Sequence, residues 1–441
     1  MQEPKTISTH HTVPLLFFTA LVGFLFADQN LMAPSLTAIG EEFGFTREQI
    51  DARLGADINL IFWMLGGVVT LGVGYLADRA DLTKRFNRKW MLVSVVTLGQ
   101  LACLCSGLAH SYEQLYWSRA FTGIGIGGSI PLIYSLLSDY FPPQKRASAA
   151  ATMSLTMGLG IAIGQVMAGS LAPAYGWRFP FLVVALPGMA VTALFALFAK
   201  EPARGQQEQA LQQRLAAGGR YEERIRLKDI PLIFRVRSNA LVFLQAIPGS
   251  IPWGMIFVYF NDFYAHDKGY SPGDATLLVM VLGAFAIAGG FFGGLLGQKL
   301  FNKHPRYLPI LCGVTTLLGM IPTTVLIWYP GASAGSIVTP ILIGSLTGLL
   351  ASVTGPNVNA ILMNANPPER RGAVFGLFNL CNDLGKGFGA SVVGWMAASL
   401  GRVTAFHLSN AMWLFSGVLM LVLAGYFPRD QAAMQADLAR K

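Results

Sequence analysis

Two residues of opposite charge sit where charge is expensive. Asp28 falls within an apolar run over residues 13–35, and Arg119 within another over residues 113–137. If both runs are helices crossing a membrane in opposite directions, Asp28 lies about 21 Å above its own entry boundary at ~1.5 Å per residue. Arg119 lies about 9 Å below the other boundary of a hydrocarbon layer ~30 Å thick. The two estimates give one depth. An acid and a guanidinium at one level can pair, exchange a proton or meet an anionic group, and each is costly there unless paired or wetted. They are predicted to line a polar pathway.

A second pair, Asp383 and Lys386, lies three residues apart on one helical face. Counted from Gly372, these two stand about 17 and 21 Å from the nearer boundary, and with Asp28 and Arg119 they are expected to share a central cavity. The alternative is a self-sufficient intrahelical pair. Asn357, Asn359, Asn364, Asn379 and Asn382 are hydrogen-bonding groups for a solute or glue between helices, and Trp253 is a solute contact or a packing aromatic. Around Trp253, the residues Pro248, Gly249, Pro252 and Gly254 suit an interrupted helix that bends as a gate.

The elements that must position these groups follow from composition. The 441 residues are 53% hydrophobic and 12% charged, with a mean hydropathy of +0.50; a soluble chain carries roughly twice that charge. The fold class is therefore an all-α membrane protein. Spans are predicted near 13–36, 56–77, 90–109, 113–137, 147–172, 178–199, 238–262, 275–297, 307–328, 334–360, 372–398 and 404–427. Twelve spans put both ends of the chain on one side. Of the 32 Lys and Arg residues, 25 fall on that side and five on the other, so the positive-inside rule makes it cytoplasmic. The net charge of +9 is thereby topological and calls for no nucleic acid. The first residues, 1–12, lack a cleavable signal pattern and are expected to stay cytoplasmic.

The expected organisation is a six-helix bundle over 1–199, a cytoplasmic linker over 200–237 with a surface helix near 206–228, and a second six-helix bundle over 238–441. An internal repeat supports two pseudo-symmetric halves. Pro142-Pro143-Gln144-Lys145-Arg146 recurs as Pro367-Pro368-Glu369-Arg370-Arg371, an offset of 225, and at that offset Gly160, Gly164 and Gly169 fall on Gly385, Gly389 and Gly394. Cys103, Cys105, Cys312 and Cys381 lie in apolar stretches and read as small buried hydrophobes. The six histidines lack ligand spacing, so neither metal nor other cofactor is expected. A membrane enzyme would need a nucleophile–base set, and no histidine accompanies the buried serines and cysteines.

Between spans two and three stands Gly74-Tyr75-Leu76-Ala77-Asp78-Arg79, followed by Lys84, Arg85, Arg88 and Lys89. This resembles the signature loop of the major facilitator superfamily. A degraded copy, Gly294-Leu295-Leu296-Gly297-Gln298-Lys299, has Gln298 for the acid, so its latch should be the weaker. Span four carries Arg119-x-x-x-Gly123-x-Gly125, similar to the superfamily's fourth-helix motif. The resemblance implies a secondary transporter working by alternating access, with Gly74, Asp78, Arg79, Arg88 and Gly372 in a cytoplasmic gate and Arg119 linked to proton coupling. Asp28-Gln29-Asn30 and Asn379–Gly387 are similar to the spinster-like branch, associated with lysolipids and other amphipathic anions. Gln29 and Ile126 stand where that branch has Arg and often Glu, which leaves Asp28 as the proton carrier of the first half.

Together these readings give an expected monomer in a bacterial inner membrane, whose partners are a small amphipathic or anionic solute, protons and the bilayer. Arg119, Asp383, Lys386, Asn357, Asn379 and Trp253 are its expected solute contacts. The alternatives are a multidrug exporter of the same fold and a non-transporting sensor.

Overall fold

The computed structural model describes residues 12–440 other than 30, 47–48, 50–52, 55–56, 80–86 and 209–229. The expected cytoplasmic N-terminal stretch, nearly all of the expected linker helix and the side chain of Arg79 lie outside the described residues. All regular structure among the described residues is helical. In chain order the helices are α1 (Thr12–Asp28), α2 (Leu36–Glu42), α3 (Ile58–Arg79), α4 (Arg88–Gly107), α5 (Tyr112–Tyr140), α6 (Pro143–Tyr175), α7 (Phe179–Phe198), α8 (Ile230–Arg235), α9 (Arg237–Asp262), α10 (Pro272–Lys303), α11 (Tyr307–Trp328), α12 (Val338–Ala351), α13 (Thr354–Ala365), α14 (Arg371–Leu400), α15 (Arg402–Leu423) and α16 (Phe427–Arg440).

Ten spans among the described residues are long and apolar enough to cross a membrane, α12 and α13 counting as one. The other two of the twelve are α1, shorter but apolar over Leu15–Asp28, and α14, thirty residues long with Asp383 and Lys386 near its middle. Leu16, Leu197, Trp328 and Leu342 are exposed on these helices, the surface that lipid rather than water must cover. The protein is a multi-pass integral membrane protein with a twelve-span helical fold.

The chain forms two compact units. The first comprises Met1–Pro142, Thr156–Ile225 and Pro368–Gly376, and the second Pro143–Leu155, Arg226–Pro367 and Leu377–Lys441. The opening turns of α6 therefore count with the second unit and the opening turn of α14 with the first. One core cluster of the first unit gathers Ala27, Leu31, Ile39, Cys103, Trp177 and Phe181. One of the second is largely aromatic, with Phe260, Phe263, Tyr264, Phe406 and Trp413.

Three elements depart from the sequence reading. The first span stops being helical at Asp28 instead of running to residue 35; a turn, a short 3-10 stretch over Ala33–Ser35 and α2 follow. Pro34, within the 3-10 stretch, has no N–H and bars an α-helix from running on through it to residue 35. The span near 334–360 is two helices, parted at Ser352 and Val353. The expected interruption of span seven is absent: α9 runs unbroken through Pro248 and Pro252, and the irregularity follows it, as a π turn over Phe263–Asp267.

The repeat is visible in the packing. A Cβ on Gly160 of α6 would lie 2.6 Å from the Gly23 carbonyl of α1, and one on Gly385 of α14 would lie 2.6 Å from the Ile247 carbonyl of α9. Backbone meets backbone at both places because neither residue has a side chain. Gly160→Leu and Gly385→Leu should each cost about 1–3 kcal/mol by overpacking, read as a lower melting temperature in detergent. Gly169→Ala, whose Cβ would meet nothing nearer than 3.9 Å, should melt like the parent.

Candidate functional site

Arg119 lies two turns into α5, whose start is fixed by Ser111 accepting a hydrogen bond from the Gln114 N–H. Its Nη1 donates to Asp28 Oδ1 at 2.5 Å, and its Nη2 donates to the carbonyls of Asp28 at 3.0 Å and Gln29 at 3.3 Å. With α1 ended at Asp28, its carbonyl keeps a long turn bond from the Leu31 N–H at 3.4 Å in place of a regular helical one, and the guanidinium adds its own to both carbonyls. Phe62 and Phe181 lie 5.8 and 5.7 Å from the Arg119 guanidinium carbon, in cation–π range. Asp28 is 1% exposed and Arg119 2%. The expected pair is thus formed, but it is enclosed by aromatic and aliphatic side chains and faces no open water.

At the other end of these helices the first unit holds a second charged cluster. Asp78, fully buried at the close of α3, accepts from the N–H groups of Gly372 and Ala373 at 2.8 and 2.7 Å. This is the placement of an anion at a helix N-terminus, where free N–H groups and the dipole both favour it. Gly74 lies one turn earlier, and a side chain there would overlap the Gly372 carbonyl. Arg88 does not join Asp78. It pairs with Asp139 of α5 at 2.6 Å and with Glu201 at 3.2 Å.

Three linker residues, which the sequence reading missed, are built into this cluster. Arg204 donates to the carbonyls of Ala77 at 2.7 Å, Asp78 at 3.0 Å and Pro368 at 3.3 Å, and burial pulls its pKa down to about 10. Glu208 accepts from Arg371, which also lies 3.5 Å from Asp139. Glu201 takes Arg88 as described. Their sequence signal was weak, because charged residues in a polar linker look solvated.

The second unit repeats the design in neutral form. Gln298 of α10 accepts from the N–H of Ala147 at 2.9 Å and of Ser148 at 3.4 Å, as Asp78 does from Gly372 and Ala373. Arg146 donates to the Met363 carbonyl at 3.2 Å and to Asn364 Oδ1 at 2.9 Å. Arg371 donates to Ser138 and pairs with Asp139, each position 225 residues from its counterpart. Two acids of the first cluster, Asp78 and Asp139, thus stand where the second has Gln298 and Asn364. The degraded copy still caps its helix.

The remaining expected solute contacts lie in the second unit. Asp383 is half-buried beside an exposed Lys386 on α14. Asn379, one turn earlier, has a buried amide nitrogen without a hydrogen-bond partner, and Asn382 accepts from Ser250 of α9 at 2.8 Å. Asn357 takes the second of its two expected roles, glue between helices. It is fully buried, and its amide donates to the Gly293 carbonyl of α10 at 3.1 Å and to that of Val353 at 2.8 Å, so it joins helices. Trp253 packs in the aromatic core, stacked on Phe257 and edge-on to Trp413.

Removing the Asp78 carboxylate leaves two buried N–H groups bare, each worth about 1–3 kcal/mol. Asp78→Ala should therefore lower the melting temperature more than Gln298→Ala, and hydrogen–deuterium exchange should quicken at Gly372 and Ala373 in the first variant and at Ala147 and Ser148 in the second.

Comparison with known proteins gives the arrangement its context. The chain is 24% identical over 421 residues to the cis,cis-muconate transport protein of Acinetobacter baylyi, covering 93% of this chain and 94% of that one. Among solved structures it resembles the proton:xylose symporter XylE, with a TM-score of 0.71 at 16% identity over 97% of this chain and 99% of that one. It also resembles a bacterial homologue of the human lysosomal transporter Spinster, with a TM-score of 0.57 at 18% identity over 98% and 99%. Residues 18–390 match the Major Facilitator Superfamily, and the chain belongs to that family.

Proposed function

We propose that this chain is a proton-coupled secondary transporter of a small organic anion, working by alternating access in a bacterial inner membrane as a monomer. The basic end of the first unit, with Arg88, Arg204 and Arg371, is its cytoplasmic side, and the cluster around Asp78 is its gate. The observation that carries the reading is the buried Asp28–Arg119 pair at the break in α1. The muconate transport protein, a carboxylate carrier by its name, supports the anionic solute. XylE, described as a proton:xylose symporter, supports the proton.

The geometry suggests how proton and anion favour each other. Protonating Asp28 cancels the carboxylate charge, while the guanidinium stays anchored by the two carbonyls of the broken helix. Arg119 is then an uncompensated cation in place, which is costly in a low-dielectric site and attracts an anionic group. Deprotonation restores the pair and expels the anion. Proton and solute therefore raise each other's affinity by one factor, the condition for symport.

Labelled cis,cis-muconate and a labelled lysophospholipid, offered to proteoliposomes under an inward proton gradient, test the reading. Accumulation of muconate is expected in the parent and is abolished in Asp28→Asn, which retains solute exchange without a gradient. Accumulation of the lysophospholipid alone would move the solute class to amphiphiles. Gradient-driven uptake that survives Asp28→Asn would refute the coupling role.

A further inference from the structure

The mechanism above uses one oxygen of Asp28 and leaves other buried polar atoms without an account. Asp28 Oδ2 has no hydrogen-bond partner, although the residue is 1% exposed. Cys103 of α4, fully buried, sits with its thiol beside this carboxylate; its described hydrogen bond, to the Phe181 carbonyl of α7, is long at 3.5 Å. Three residues earlier on the same face of α4 stands Gln100, also 1% exposed, and neither amide atom of its side chain has a partner. A side chain on Gly188 would fill the amide's place, since a Cβ there would lie 2.5 Å from Gln100 Oε1. Beyond it, Thr192 of α7 is buried and donates to the Gly188 carbonyl at 2.8 Å.

An amide in the apolar middle of a membrane helix costs several kcal/mol when nothing meets it. Native proteins meet such groups with ordered water, which needs two to four polar partners nearby. The polar atoms here are of the right kind. Gln100 offers a donor and an acceptor, Cys103 a weak donor that can turn from Phe181 to the carboxylate, and Asp28 an acceptor. Arg119 of α5 pairs with Asp28, and Phe62 of α3 and Phe181 of α7 lie on its guanidinium; among these described neighbours the rings carry no exchangeable proton and the guanidinium stays charged.

We propose that Gln100, Cys103 and Asp28 Oδ2 form a hydrated polar file between α1, α4 and α7, running toward the basic end of the first unit, through which Asp28 gains and loses its proton. Gln100 is a positioning residue: it holds the water that delivers a proton to Oδ2 and takes it back, and carries no charge itself. The file rests on the reading of Asp28 as proton carrier, and its test separates the two.

Infrared difference spectra of the protein in lipid, titrated with acid, report a protonated carboxyl band, and Asp28→Asn identifies the band it removes. Transfer to deuterated buffer then gives the rate at which that carboxyl exchanges. The rate is expected to fall by about tenfold or more in Gln100→Leu and in Gln100→Met, the unbranched variant serving where Leu disturbs folding, and to stay near the parent's in Gln100→Asn. An Asp28 band that exchanges at the parent's rate in both apolar variants overturns the file and leaves the coupling role standing. A parent with no band lost on Asp28→Asn at any pH overturns both.

Discussion

A guanidinium closed away from water must be neutralised and hydrogen-bonded on the spot, and everything near Arg119 answers that demand. Taking such an ion out of water costs several kcal/mol even after relaxation. The chain offsets this with the Asp28 carboxylate and with two backbone carbonyls that a continuous first helix would have kept for itself. The break in α1 is therefore part of the charge site. A straight helix through residue 35 would leave Arg119 with the carboxylate alone, and a single protonation would then strand it. With the carbonyls present, the cation can outlast the loss of its counter-ion, which a proton-switched anion site requires.

The duplicated clusters at the basic end show what a repeat keeps and what it lets drift. Geometry is kept: a side-chain oxygen caps the first N–H groups of a helix in each unit, and an arginine binds the end of another helix, Arg146 at Asn364 and Arg371 at Asp139. Charge is not. Asp78 and Asp139 are carboxyl groups in the first cluster, while Gln298 and Asn364 are neutral amides in the second. Charge-assisted hydrogen bonds are about twice as strong as neutral ones. The two caps are thus alike in form, and the first is the stronger where its acid is ionised.

How much of this was legible depended on whether a signal was local. Hydropathy and the charge count showed the spans, and the depth argument brought Asp28 and Arg119 together across 91 positions. The capping of Gly372 by Asp78 was readable because the loop motif carries it. The helix break at Asp28 was not, since Leu31, Met32 and Ala33 resume the apolar run after Gln29 and Asn30. Nor was the network of Glu201, Arg204 and Glu208 readable: a charged linker has the same composition whether it is solvated or threaded among buried ions. Asn357 stayed open between solute and helix for the related reason that an amide gives no sign in sequence of which partner it meets.

The polar file bears on the same constraint. A carboxylate paired to a buried arginine is useful as a switch only if protons reach it without the site flooding, because bulk water would screen the charge that draws the anion. A wide aqueous channel would defeat the mechanism, and a dry seal would stop it. Polar side chains spaced along α4, as the proposed file has them, would satisfy both conditions. On this view Gly188 matters through what it leaves empty, since any side chain there would take the space of the Gln100 amide and cut Asp28 off from its proton supply.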